Sequence, residues 1–311
     1  MQCNSNCMMC NRNFSRKDAK NAQGFLSWDI FLKVKPFFKY AKRIAFGGFG
    51  EALLHPDYLS MLREIKRFNP YVYFFTNGIL MTKENGRGLV DEGMDMICVS
   101  IGGATQETYK KIRGIDAFGQ VVDNIKKITE YKKKTNKKKP IISFNVVAMK
   151  SMMHELEALV ILARDIGVEH MAFPNMVVQG PEIESESLWL DVENSQRAFQ
   201  KAKVLADKFN IQFISPCLDI RKFDCKDIFR RMSINWDGSV RSCALERYIT
   251  GSLKEKDIAS IWNSKGMAKL RKDYFEKGIE ALCPNCTRWD NKPDAFHKPW
   301  INSREFAERV S

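Results

Sequence analysis

The chain has 311 residues, with 50 lysines and arginines against 37 aspartates and glutamates, so its formal net charge is +13. A 44% hydrophobic and 28% charged composition excludes disordered and collagen-like chains, and the length suits two domains or one large α/β barrel with an appendage. No apolar run reaches the ~18–20 residues of a membrane span, and residues 1–20 lack the apolar stretch of a signal peptide, so a soluble, cytoplasmic protein is expected.

Hydrophobic spacing predicts a helix over 27–40, with Trp28, Phe31, Leu32 and Phe38 on its apolar side. A short strand over 43–46 runs into Gly47-Gly48-Phe49-Gly50-Glu51. An amphipathic segment follows over 58–68, then a strand over 71–75 that ends in Thr76-Asn77-Gly78. Next come a helix over 83–92 and a strand over 96–101 that ends in Gly102-Gly103. Helices over 118–131 and 153–166 alternate with strands over 141–149 and 171–173. Alternating βα units imply parallel strands joined by helical crossovers. The turns at 47–51, 76–78 and 100–103 each follow a strand and should share one rim. The basic run at 132–134 and 137–139 has no aromatic residue interleaved beyond Tyr131, so it reads as a solvated loop rather than a nucleic-acid interface. Gly180-Pro181 marks an exit from the barrel, 191–209 reads as one more amphipathic helix, and a cysteine-rich appendage starts near Ser215.

Nine cysteines without an export signal argue against a disulfide framework. Cys3-x3-Cys7-x2-Cys10 can converge from one loop. With no fourth Cys or His nearby, three thiolates suit a 4Fe–4S cluster with one iron left open. The competing reading is a zinc site that borrows a distant ligand. Cys225, Cys243, Cys283 and Cys286 make a complete four-thiolate shell, by spacing either a zinc ribbon or an iron–sulfur cluster. Cys98 reads as a small buried core residue. Cys217 is left over, as a buried residue, a spare ligand or a thiol hydrogen donor.

Several motifs occur in a telling order. Cys3-x3-Cys7-x-Met9-Cys10 at the head of the βα units resembles the radical S-adenosylmethionine (radical SAM) superfamily. Phe49-Gly50-Glu51-Ala52-Leu53-Leu54-His55-Pro56 resembles that family's glycine-glycine-glutamate-proline turn, with Phe49 and Ala52 replacing the first glycine and the proline. Phe75-Thr76-Asn77-Gly78 resembles its next strand end, and Val99-Ser100-Ile101 with Tyr109 to Gly114 its fourth strand and following helix. Gly102 stands where many relatives carry Asp. Cys225, Ile234-Asn235-Trp236-Asp237-Gly238-Ser239-Val240, Ile261-Trp262-Asn263 and Cys283-x2-Cys286 resemble the SPASM/Twitch appendage, with cysteine spacing similar to the 2-deoxy-scyllo-inosamine dehydrogenase family.

The resemblance implies an α/β fold: a partial (β/α)6 barrel over 1–180, a linker helix over 181–214 and a small Twitch-type iron–sulfur domain over 215–311. It implies two 4Fe–4S clusters and SAM as cofactors. Cys3, Cys7 and Cys10 would hold the SAM-binding cluster; Cys225, Cys243, Cys283 and Cys286 would hold the auxiliary one, an electron relay. Glu51 is expected at the SAM ammonium, Met9 at the adenine, and Gly50 where the backbone must approach closely. Ser100 and Arg113 are further SAM contacts, and Cys217 is the candidate hydrogen donor. Trp236 and Asp237 have a functional look, although Asp-Gly also fits a plain hairpin turn. The expected activity is that of a radical SAM oxidoreductase, a dehydrogenase or epimerase. It would abstract hydrogen from a small polar substrate, a sugar or aminocyclitol, which the positive charge allows to be anionic. An external one-electron reductant such as flavodoxin or ferredoxin is expected, with no membrane partner. Two rivals stand: a maturase of a ribosomally made peptide, disfavoured because no segment is spare for a leader-binding domain, and a zinc-binding, basic nucleic-acid-binding protein.

Overall fold

A computed structural model describes residues 2–10, 24–48, 50–178, 180–216, 218, 226–243 and 249–282. The chain divides into two compact units: 1–23 with 38–218, and 24–37 with 219–311.

The first unit carries six strands: β1 (Arg43–Ala45), β2 (Tyr71–Thr76), β3 (Met96–Val99), β4 (Ile141–Asn145), β5 (His170–Ala172) and β6 (Gln212–Ile214). All neighbours are parallel, and their order in the sheet is their order in the chain. Each crossover therefore steps the same way. Right-handed crossovers in one direction put every helix on one face of the sheet. The other face is left as the inner wall of a partial barrel, with β1 and β6 as its edges among the described residues. The sixth strand lies beyond the expected end of the barrel. The helix over Val192–Lys208, expected as a linker, is the crossover that delivers it. A three-residue strand is too short to show a period in the sequence.

The outer face is apolar because both layers bury it. Val72, Phe74, Ile97, Val99, Ile142, Phe144 and Met171 are fully buried there. Against them pack Leu62 and Ile65 of the helix over Tyr58–Lys66, Val121 and Ile125 of the helix over Phe118–Lys134, and Leu159 and Val160 of the helix over Leu156–Ile166. The inner face alternates with this one. Phe75, Cys98, Ser143, His170 and Gln212 form one rung across five strands in register. Parallel strands covered on both faces read as continuous apolar runs; on this face Cys98 and Ser143 are buried at the centre, while Phe75 and Gln212 are exposed towards the edges.

One ionic cluster ties the lower edge of the sheet. Asp95 accepts from Val72 N–H (2.7 Å) and Lys66 Nζ (2.7 Å), and pairs with Lys139. Burial pushes the carboxyl up, but the two ammonium groups and the amide outweigh it and hold it below the ordinary value. The basic run is therefore only partly a solvated loop. Lys132 is buried and pairs with Glu169 (2.6 Å), Lys137 pairs with Asp91 (2.7 Å), and Lys139 joins Asp95.

The second unit holds a three-stranded antiparallel sheet of β7 (Ser233–Ile234), β8 (Ser239–Arg241) and β9 (Ile249–Ser252). The helix over Trp28–Val34 belongs to it: Ile30 packs in one core with Val240, Leu253, Ile258 and Ile261. Asp237 accepts from Ser239 N–H (2.9 Å) and Ser239 Oγ (2.7 Å), and Gly238 has φ +83°, so Asn235-Trp236-Asp237-Gly238 is a hairpin turn. No helix among the described residues is long and apolar enough to cross a membrane.

Asp95→Asn should lower stability by about 1–3 kcal/mol at pH 7, read by urea unfolding. A carboxyl depressed by folding contributes fully above its unfolded value of about 3.9 and loses that contribution as pH falls through its lower folded value. The gap between wild type and variant should therefore be widest near neutrality and narrow below about pH 4. A gap that widens on acidification contradicts this role.

Candidate active site

The first described residues form a loop, Gln2 to Cys10, fixed to the sheet at three places. At its start, Glu51 N–H donates to Gln2 O (2.8 Å). In its middle, Asn77 Nδ2 donates to Asn4 Oδ1 (2.6 Å) and Ser5 Oγ (3.1 Å). Near its end, Met8 N–H donates to Ile112 O (3.0 Å), in the last turn of the helix over Gln106–Arg113. Two glycines make this approach possible. Gly50 (φ +96°) has room for no side chain, since a Cβ there would lie 2.4 Å from Gln2 O. Gly114 (φ +65°) ends the helix in a left-handed cap, and a Cβ would lie 2.1 Å from Asn6 O.

Glu51 is the centre of the arrangement. Its carboxylate is buried and accepts from Thr76 Oγ1 (2.7 Å), Asn77 N–H (2.7 Å) and Leu53 N–H (3.2 Å). Burial pushes its pKa up, while those donors and the Arg113 guanidinium pull it back without cancelling the rise. One carboxylate thus caps the short helical turn over Ala52–Leu54 and orients Asn77, which in turn grips the loop.

The three thiols lie on this loop, Cys7 buried and Cys3 and Cys10 half-buried. Cys7 is pushed up by burial and by its two neighbouring thiols, and pulled down by Arg113. Among the described residues no three His, Cys, Asp or Glu side chains gather closely enough to hold one metal ion. Cys3 and Cys10 lie close enough to Cys7 for each to act on its ionisation. Beside them, Arg113 and Tyr109 are buried and act on each other electrostatically, and neither Arg113 Nε nor the Tyr109 hydroxyl meets a geometrically good hydrogen-bond partner among the described residues. Buried polar atoms are normally paired, so the unfilled donor at Arg113 Nε beside the three thiols fits a polar cofactor that completes it.

The other expected residues fall as follows. Met9 is half-buried on the loop's last turn. Ser100 sits at the rim, its N–H donating to Thr76 O (2.7 Å). Cys243 follows β8 and is half-buried; Cys217, Cys225, Cys283 and Cys286 lie outside the described residues. The sequence reading passed over several positions. Glu155 accepts from Ala104 N–H (2.6 Å), Thr105 Oγ1 (2.5 Å) and Thr108 Oγ1 (2.6 Å), and so anchors the helix that carries Arg113. On the inner wall, Ser143 Oγ and His170 Nδ1 are 2.6 Å apart, and burial lowers the imidazole's pKa. The signal for that pair was available: Ile141-Ile142-Ser143-Phe144-Asn145 alternates in a strand that, if buried on both faces, should not.

Comparison with known proteins gives consistent matches. Residues 2–161 match the radical SAM superfamily, and residues 225–287 match SPASM, an iron–sulfur cluster-binding domain. The tungsten-containing aldehyde ferredoxin oxidoreductase cofactor-modifying protein of Pyrococcus furiosus is 25% identical over 312 residues, 92% of this chain and 84% of that one. Streptococcus suis SuiB bound to its precursor peptide SuiA has a similar fold, with TM-score 0.64 and 14% identity over 86% of this chain; the chain spans 64% of SuiB. So does anSMEcpe with bound AdoMet and the Cp18Cys peptide, with TM-score 0.64 and 15% identity over 99% of this chain and 92% of that one. The cofactors are therefore SAM, a SAM-binding 4Fe–4S cluster and an auxiliary iron–sulfur cluster.

Gly114→Ala should displace the loop, because its Cβ meets backbone rather than a yielding side chain. Anaerobic reconstitution should then load about half the wild-type iron while the circular dichroism spectrum is kept. Full iron loading in the variant would contradict the pinning.

Proposed function

The chain belongs to the radical SAM superfamily, and from that premise we propose that it is a maturase, modifying a ribosomally made peptide. The observation that carries the reading is the exposure, among the described residues, of the outer strands of the inner wall. Phe75 is 38% exposed and Ile214 49% exposed on it, Arg43 and Gln212 are exposed, and hydrogen-bonding groups lie between them. A long wall open at its edges accommodates an extended chain. Two likenesses support this: the fold shared with SuiB bound to a precursor peptide, and the whole-length relative named for modifying another protein's cofactor. The sugar or aminocyclitol reading rests on the spacing of the C-terminal cysteines and on a weaker likeness of fold, to BtrN in complex with AdoMet and 2-DOIA (TM-score 0.53, 15% identity).

Cys3, Cys7 and Cys10 would hold the SAM-binding cluster, leaving one iron open. When bound, that cluster would supply the electron for reductive cleavage of SAM, and with it the hydrogen-abstracting chemistry of the family. The chain's own residues do the positioning. Arg113 would donate from Nε to the SAM carboxylate, a charge-assisted bond that its burial strengthens. Glu51 holds Asn77 and the loop, and would take the SAM ammonium only through lone pairs its three donors leave free. Gly50 lets the loop close on the turn, Met9 would lie against the adenine, and Ser100 would reach the ribose from the rim. His170 would hydrogen-bond the substrate on the inner wall, its ring held by the buried Ser143 hydroxyl. Cys225, Cys243, Cys283 and Cys286 would hold the auxiliary cluster, and Cys217 would serve as hydrogen donor if the product is an epimer.

The test is anaerobic turnover with SAM and dithionite, assaying 5′-deoxyadenosine against precursor peptides and a panel of sugars and aminocyclitols. Release above the substrate-free level should require peptide, with deuterium passing from labelled peptide into 5′-deoxyadenosine. Coupled turnover of an aminocyclitol, with none on peptide, would overturn the maturase reading.

A further inference from the structure

The second unit carries a groove of about 1030 Å³ between the segment following its N-terminal helix and the turn after β9. Pro36, Phe37 and Leu253 contribute apolar surface to it, and Lys33, Lys254, Lys256 and Lys265 contribute four ammonium groups. None of these four lysines pairs with a carboxylate among the described residues, whereas Lys66, Lys132, Lys137 and Lys139 of the first unit all do. Lys33 Nζ donates to Leu253 O (2.7 Å), which fixes one charge at the wall. The groove's acids are Glu255 and Asp257, and Asp257 is occupied as a helix cap, accepting from Ser260 N–H (2.9 Å) and Ser260 Oγ (2.7 Å).

We propose that this groove is the docking surface for an acidic one-electron carrier protein. The inference rests on the radical SAM reading, because such enzymes need an external electron donor. A carrier must bind briefly and leave, and redox encounters use small, charge-steered contacts. Unpaired lysines around an apolar floor provide that: long-range attraction, short-range contact, and no buried ion pair to slow release. The groove also lies in the unit that carries the SPASM match and Cys243. An acidic peptide is the other occupant that the charge allows, and the experiment separates the two.

The full-length, reconstituted protein is reduced in parallel with reduced plant-type ferredoxin and with dithionite, and 5′-deoxyadenosine release is followed in both. A Lys254→Glu/Lys256→Glu/Lys265→Glu variant should lose about tenfold or more of the ferredoxin-driven rate at low salt and none of the dithionite-driven rate. A Lys→Gln version at the same three positions should fall between. The wild-type ferredoxin-driven rate should itself drop as salt is raised. Fluorescence anisotropy of labelled ferredoxin reads docking independently of turnover, with a ten-residue polyglutamate peptide as competitor. Unchanged ferredoxin binding and rate in the charge-reversed variant overturns the proposal. So does polyglutamate binding without ferredoxin binding, which would make the groove a peptide site. If neither reductant drives SAM cleavage in the wild type, the radical SAM activity fails instead, and the anisotropy still decides docking.

Discussion

The site depends on one buried carboxylate. Glu51 accepts from Thr76, Asn77 and Leu53 at the point where β2 leaves the sheet. Desolvating a carboxylate is costly unless donors surround it, and this one has three. Their geometry passes outward: Asn77, held by Glu51 through its N–H, uses its side-chain amide to hold Asn4 and Ser5. A loop of nine residues with little core of its own is thereby given a fixed place. The loop carries the thiols proposed to hold the SAM-binding cluster, so on that proposal the cluster's position would follow from a hydrogen-bond network rather than from hydrophobic packing.

The topology explains why this network lies where it does. Parallel strands in sequential order deliver every strand end to one rim and every helix to one face. The turn at Glu51, the turn at Asn77 and Ser100 come together without being neighbours in the chain. The opposite end of the sheet is tied by Asp95, with Lys66 and Lys139. Between the two ends, the inner wall is free to be polar because helices stabilise only the outer face.

Much of this was legible in the sequence. The cysteine spacing, the glycine turn before Glu51 and the alternation of strand and helix led directly to the fold and to the loop. Gly50 was expected as a cofactor-binding position that lets the backbone approach closely; the close approach in the structure is to Gln2 of the loop. Other features were not legible because they are non-local. The helix over Trp28–Val34 looked like a barrel helix, yet Ile30 packs with Val240, more than 200 residues later. Lys132 stands in a basic run, and only the fold shows that it is buried beside Glu169. The anchoring role of Glu155 depends on a contact between a loop and a helix start about fifty residues away. Glu51 was read as a ligand for SAM, and the structure adds that its first duty is internal.

The central claim is that the loop's three thiols leave one iron for SAM. Electron paramagnetic resonance of the reduced protein tests it most directly, recorded with and without SAM and beside a Cys3→Ala/Cys7→Ala/Cys10→Ala variant that keeps only the second cluster. The account predicts that SAM alters the g-values of the signal that the variant lacks and leaves the remaining signal alone. A spectrum indifferent to SAM, or a triple variant that retains all the iron, would contradict it.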